Sequence, residues 1–165
     1  MADLTPSERL LPSLLDRLTD SEPRRTEESR DQRVGTQYTL RQSVLRDLEW
    51  LMNTINLESV VDLERWPELR ETVINFGLPG LSGNTLNNED RKAIQKLIKA
   101  TIQAFEPRIL RNTVSVTLIE GAESDNRHAI AFQIEGTLWG NPLPEALFLR
   151  TELDLELGEV KVLEA

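Results

Sequence analysis

The sequence predicts an α+β fold: helices packed on one face of a three- to four-stranded antiparallel sheet, with an N-terminal helix on a flexible linker. Three observations predict it. Apolar residues recur at three- and four-residue steps in two stretches, 40–55 and 94–105, which places them on one helix face. From Val114 onward the spacing changes to alternation, which gives a strand one buried face and one wet face. Residues 20–37 carry charges of both signs and almost no apolar side chain, too little burial to offset the entropy of ordering. The expected organisation is a docking helix at 1–19, a charged linker at 20–37 and the main domain at 38–165.

Leu10, Leu11, Leu14, Leu15 and Leu18 form the first stripe. Thr5-Pro6-Ser7-Glu8 has capping-box spacing, but Pro12 then falls inside the helix. Alternatively Pro12 occupies the first turn, where its missing donor costs nothing. Such a short helix is marginal alone in water, so it docks either on its own domain or on a partner.

The next helix is expected to start at Thr39, because Thr39-Leu40-Arg41-Gln42 repeats the capping-box pattern. Leu40, Val44, Leu48, Leu51 and Ile55 make its stripe, widened by Leu45 and Met52. Trp50 falls off the centre of that stripe, as a rim aromatic or a packed flank. Trp66 to Gly77 reads as a short helix, with Pro67 in its first turn and Gly77 past its end. Leu78 to Asn84 is a Gly/Pro-rich loop. It lacks the Gly-Lys-Ser/Thr of a phosphate-binding loop.

Asn87-Asn88-Glu89-Asp90 opens the second long helix, with a favoured cap and acids in its first turn. Ile94, Leu97, Ile98, Thr101, Ile102 and Phe105 make its stripe. Arg91, Lys92, Lys96 and Lys99 make its basic outer face. Pro107 has no amide hydrogen and forces Glu106 out of the helical region, so the helix ends by Phe105. Four strands follow: Val114–Leu118, Ile130–Leu138, Leu147–Leu157 and, after a turn at Leu157-Gly158-Glu159, Val160–Val162.

The chain has 165 residues, 39% of them hydrophobic, enough for one domain with extensions. It contains no cysteine and one histidine, His128. A tetrahedral zinc site is thereby excluded, and no metal or cofactor pattern appears. A Ser-His-Asp triad would have to use His128, and no nucleophile elbow lies near it. No run of 18 apolar residues spans a membrane. The N-terminus lacks a secretory pattern, and a cysteine-free chain suits the cytoplasm. Of the net charge of −9, nearly all lies in residues 112–165, with ten acids against three bases. Phosphates are repelled by such strands, so no nucleic-acid partner is expected.

Glu106, Pro107 and Arg108 stand at a stiff corner between helix and sheet. One reading is a rigid helix terminator with a surface ion pair of small energetic value. The other is a preorganised plug that points a carboxylate and a guanidinium outward, each able to bond bidentately across an interface. A paired-carboxylate glycosidase using Glu106 as general acid is a third reading. Arg108 beside it favours the ionised form, which is wrong for that role, and no second carboxylate is indicated.

Three segments together resemble a known family. They are Ser43 to Thr54 (SVLRDLEWLMNT), Val73 to Pro79 (VINFGLP) and Phe105 to Ile109 (FEPRI). Their order and spacing, with the terminal pattern Arg150 to Glu156, resemble the "lysozyme-like" baseplate wedge family. More narrowly they resemble the TssE wedge subunits of bacterial type VI secretion systems. The resemblance runs from about Leu14 to the C-terminus. It implies a structural, non-enzymatic part of a contractile baseplate with no cofactor, on the cytoplasmic side of the inner membrane and not inserted in it. The implied partners are the wedge proteins TssF and TssG, the baseplate protein TssK, and the sheath proteins TssB and TssC. It also implies that Glu106, Pro107 and Arg108 grip the wedge. A short last strand with Val160, Lys161 and Val162 leaves an open edge, the kind of site to which an extended segment adds. A muramidase using Glu106 is the alternative.

Overall fold

Alternation after Val114 builds a four-stranded antiparallel sheet in chain order. Its strands are β1 (Ser115–Leu118), β2 (Ala129–Leu138), β3 (Glu145–Asp154) and β4 (Val160–Glu164). The computed structural model describes residues 13–19, 36–81, 88–119, 129–139 and 144–164. Among the described residues three α-helices precede the sheet, α1 (Leu14–Leu18), α2 (Gln37–Asn53) and α3 (Asn88–Phe105). β2 and β3 pair along their whole length, from Ala129 opposite Asp154 to Leu138 opposite Glu145. α3 lies against β1 and α2 against β4, so the two long helices cover opposite halves of one sheet face.

The core is the sum of the stripes. Val44, Leu48, Leu51 and Met52 come from α2, and Ile94, Ile98 and Ile102 from α3. Phe132, Ile134, Leu138, Leu147, Leu149 and Leu153 come from the alternate positions of β2 and β3. Phe132, Leu138, Leu147 and Leu149 have no solvent exposure, and each buried side chain of this size contributes about 1.5–3 kcal/mol. Phe105 ends the α3 stripe by setting its ring edge-on to Phe76, with centroids 5.7 Å apart.

Several boundaries differ from the sequence reading: α2 ends at Asn53, short of Ile55, β3 starts at Glu145 and β4 runs on to Glu164, and four further differences have a local reason. α2 is capped by Thr36, not Thr39. The Thr36 hydroxyl accepts from the Thr39 amide at 3.1 Å, and Thr39 Oγ1 accepts from the Thr36 amide at 2.7 Å, so Thr39 is the far half of an earlier box. Thr36 and Gln37 therefore belong to the helix and its cap rather than to the expected 20–37 linker, the rest of which, 20–35, lies outside the described residues. α1 starts after Ser13, whose side chain accepts from the Asp16 amide. The earlier Thr5–Glu8 box and Pro12 lie outside the described residues. Residues 66–77 form two 3-10 turns, Pro67–Glu71 and Val73–Asn75, rather than one helix. Thr72, extended at φ −97°, ψ 161°, separates them, and the β-branched run Thr72-Val73-Ile74 is poor helix material. β3 stops at Asp154 instead of running to Leu157. Asp154 Oδ1 accepts from the Glu156 and Leu157 amides at 2.8 and 3.1 Å, an Asx turn that ends the ladder. Gly158, at φ 73°, completes the return.

Residues 55–78 leave and rejoin the body at one point. The Asn56 amide donates to Leu78 O at 3.0 Å, and the Leu78 amide to Thr54 O at 2.8 Å. Gly77 makes this closure possible: its φ is +121°, and a Cβ there would stand 2.2 Å from Thr54 O. Gly77→Ala should therefore cost more than about 2 kcal/mol. Gly80→Ala, with nothing within 4 Å of its added Cβ, should be close to neutral. Urea midpoints of the two variants check this, and equal midpoints would refute it.

Candidate functional site

The proline that stops α3 also shapes the corner beyond it. The Glu106 amide still bonds Ile102 O at 2.9 Å, and Pro107 has no amide to offer. The nearest forward donor is therefore the Arg108 amide, which donates to Glu106 Oε1 at 3.0 Å. That bond turns the Glu106 side chain inward. The Arg108 side chain then folds back over it, with Nε donating to Oε1 at 2.7 Å and Nη2 to Oε2 at 2.5 Å. This is the two-pronged guanidinium–carboxylate pair, made across two residues of one chain. The corner is stitched to the sheet just beyond. Arg108 O accepts from the Trp139 amide at 2.7 Å, and the Leu110 amide donates to Thr137 O at 2.9 Å. Ile109 pairs with Leu138 and presses on Gly136, where a Cβ would meet Ile109 Cγ2 at 2.7 Å.

The expectation that Glu106 and Arg108 both point outward is corrected by this geometry. Glu106 is 4% exposed, and the Arg108 side chain keeps 23% exposure. A buried carboxylate needs a cation and hydrogen bonds at hand, and Arg108 supplies both. Pro107 is the member of the motif that faces solvent.

The pair does not stand alone. Arg108 Nη2 also donates to Asp47 Oδ2 at 2.7 Å, and Nη1 to Ser43 Oγ at 3.3 Å. The other oxygen of Asp47 accepts from Arg46 Nε at 2.9 Å, and Arg46 Nη1 donates to Asp16 Oδ1 at 2.6 Å. Charges thus alternate along Glu106, Arg108, Asp47, Arg46 and Asp16, joining the corner to α2 and α2 to α1. Arg46 also lies 5.3 Å from the Trp50 ring centre, a cation–π contact that places Trp50 on the rim. Burial alone would lower the Arg108 pKa, but its bonds and attraction to Glu106, then Asp47, outweigh that and raise it. Burial alone would raise the Asp16 pKa. Its hydrogen bonds to Ser13 and Arg46, with the Arg46 charge, outweigh that and lower it.

Val160, Lys161 and Val162 lie on the outer strand β4, at one end of the strand order. The Asp154 amide bonds Glu159 O at 2.8 Å, so Glu159 faces β3. Alternation then turns the backbone groups of Val160 and Val162 away from β3 and those of Lys161 toward it. Val160's outward pair is already occupied. Its amide donates to Asn53 Oδ1 at 2.9 Å, and its carbonyl accepts from Asn53 Nδ2 at 2.8 Å. One side-chain amide so stands in for a neighbouring strand. Among the described residues no such group covers Val162. The Val160 side chain is buried in the core, while Lys161 is exposed and Val162 half-buried. At the opposite edge Gln95 Nε2 donates to Val116 O at 2.6 Å.

Sequence reasoning missed Ser43, Arg46, Asp47, Asn53 and Asp16. The available signal was the spacing of Ser43 and Asp47, four apart on one face of α2 beside its stripe. His128 lies outside the described residues. Among the described residues no cluster of metal-ligating side chains occurs.

Comparison with protein families matches residues 38–143 to the baseplate wedge protein gp25. The match includes α2, the corner and β2, and leaves out β3 and β4. No curated protein matches the chain.

Three outcomes follow from the charge chain. Arg108→Ala strands the buried Glu106 carboxylate and should cost about 3–5 kcal/mol. Arg46→Ala breaks a more exposed pair and should cost under about 1 kcal/mol while releasing α1. Urea unfolding of both variants checks the contrast. For Asp16 the folded pKa lies below the ordinary value of 3.8, so its contribution to α1 docking is present above about pH 4 and lost as pH falls through the lowered value. Amide exchange at Thr19, whose amide bonds Leu15 O, should accelerate in that acid window beyond its intrinsic pH dependence. An unchanged protection factor would count against the Asp16 anchor.

Proposed function

The chain belongs to the baseplate wedge protein gp25 family, and from that premise we propose that it is a TssE-type wedge subunit of a type VI secretion baseplate. The family's role is structural. In the proposed role the protein joins the wedge proteins TssF and TssG, with TssK nearby, and starts the contractile sheath of TssB and TssC. It works as an adaptor rather than an enzyme, assembled on the cytoplasmic side of the inner membrane. Among the described residues no helix is long and apolar enough to cross a membrane.

The observation that carries the reading is the half-covered edge of β4. Asn53 closes the position at Val160 and leaves the next outward position, Val162, for a strand from another chain. A sheath strand pairing there extends the sheet without disturbing the core below it. The corner supplies the wedge contact in a form different from a projecting plug. Glu106 acts by positioning Arg108, and the partner meets Pro107, the exposed rim of the Arg108 guanidinium and the exposed Trp139 that hydrogen-bonds to Arg108. Preorganisation of this kind lowers the ordering cost of binding.

The muramidase reading loses the observation that motivated it. A general acid must reach a glycosidic oxygen. Both Glu106 oxygens are held by Arg108, and the side chain is buried.

Val162→Pro separates the edge from the fold. Its amide faces away from β3, so proline there removes no internal bond and blocks strand addition. The variant should keep its melting temperature within a few degrees, keep wedge co-purification and fail to start sheaths. Lys161→Pro, which removes a ladder bond, should destabilise the sheet instead. Normal sheath assembly by Val162→Pro would overturn the edge proposal.

A further inference from the structure

The excursion 55–78 carries an unusual amount of exposed apolar surface. Ile55 is 66% exposed, Val60 75%, Val61 42%, Trp66 53%, Val73 83% and Ile74 61%. These side chains are not displayed on slack chain. The ends of the excursion are bonded together at Asn56 and Leu78, and its middle is tied by one buried side chain, Asn75. Asn75 Oδ1 accepts from the Glu58 amide at 2.9 Å, and Nδ2 donates to Arg70 O at 3.1 Å. Leu63, 1% exposed, anchors it from inside. Holding several large apolar groups in water on a fixed frame is the mark of a docking surface.

Charge and shape narrow what docks. Glu58, Asp62, Glu64, Glu68 and Glu71 are all exposed in the same excursion, interleaved in sequence with these apolar groups, against Arg65 and Arg70. Arg70 is taken by Glu58 at 2.8 Å, which leaves the rim acidic. Anionic lipid is repelled by such a rim. The excursion consists of 3-10 turns with no strand of its own, so it offers side chains and not a backbone edge. We propose that this excursion docks an amphipathic helix of another polypeptide, one whose apolar stripe is flanked by lysine or arginine. The apolar stripe covers Val73, Ile74 and Trp66, and the flanking cations meet Glu68, Glu71 and Glu64. None of these residues belongs to the corner or to the β4 edge, so this inference and the baseplate reading stand or fall separately.

The test uses the full chain and a synthetic amphipathic peptide about five helical turns long, with a leucine stripe flanked by lysines. Titration followed by amide NMR should give saturable shifts confined to residues 55–78. Val73→Asp with Ile74→Asp should weaken binding by at least about tenfold. Both side chains are more than half exposed, so the variant should stay folded; Trp66→Ser serves if it does not. A peptide with the same leucines flanked by glutamates should bind at least about tenfold more weakly at low salt. Absent or scattered shifts, or equal binding of the two peptides, would overturn the proposal. So would a dimer of the chain that disappears in the aspartate variant, or the same resonances responding to anionic vesicles.

Discussion

A carboxylate removed from water has to be neutralised where it sits, and this fold is arranged around doing so for Glu106. The proline after it removes the competing amide, the arginine after that supplies the cation, and Asp47 of α2 holds the other side of the same guanidinium. Three features depend on the outcome: where α3 ends, how the chain enters the sheet beside Thr137–Trp139, and where α2 lies against the corner. Net interaction energies in such buried networks are modest, because desolvation offsets much of the attraction, but breaking one member is costly. The motif therefore contributes most to a single fixed geometry at the junction of helix and sheet.

The same network reaches the N-terminal helix through the half-buried charges of Arg46 and Asp16 rather than through a fully buried one. α1 has no buried residue; Leu14 and Leu18 are 70% and 74% exposed. Asp16 and Arg46 are the described connection between α1 and the body. A connection of that strength positions the helix without committing its leucines, which suits a segment that meets a partner.

Much of this was legible in the sequence. The two helical stripes as far as Met52 and Phe105, the proline stop at Phe105, the Gly77 break and the course of β2 to within one residue follow from period and from the chemistry of one or two residues. What was not legible depended on contacts distant in sequence. Whether Glu106 faces in or out turns on Asp47 and Ser43, 61 and 65 positions from Arg108, and a charged tripeptide reads the same either way. Thr36 and Thr39 both satisfy the rules for a helix cap, and only the geometry decides between them. The Asn53 cap on Val160 spans 107 positions. Each half looks ordinary in isolation: a helix-terminal asparagine and an edge-strand valine. The two edges of the sheet are thus partly closed by side-chain amides of the helices, and the open remainder is a product of tertiary structure.

The claim that most depends on the geometry is that the Glu106–Arg108 pair is internal and energetically coupled. A double-mutant cycle in the isolated chain, with Glu106→Gln, Arg108→Met and the pair, measures this by urea unfolding. An internal pair predicts a coupling of at least about 2 kcal/mol. A coupling below about 0.5 kcal/mol, as for exposed ion pairs, would contradict it and return both side chains to the surface.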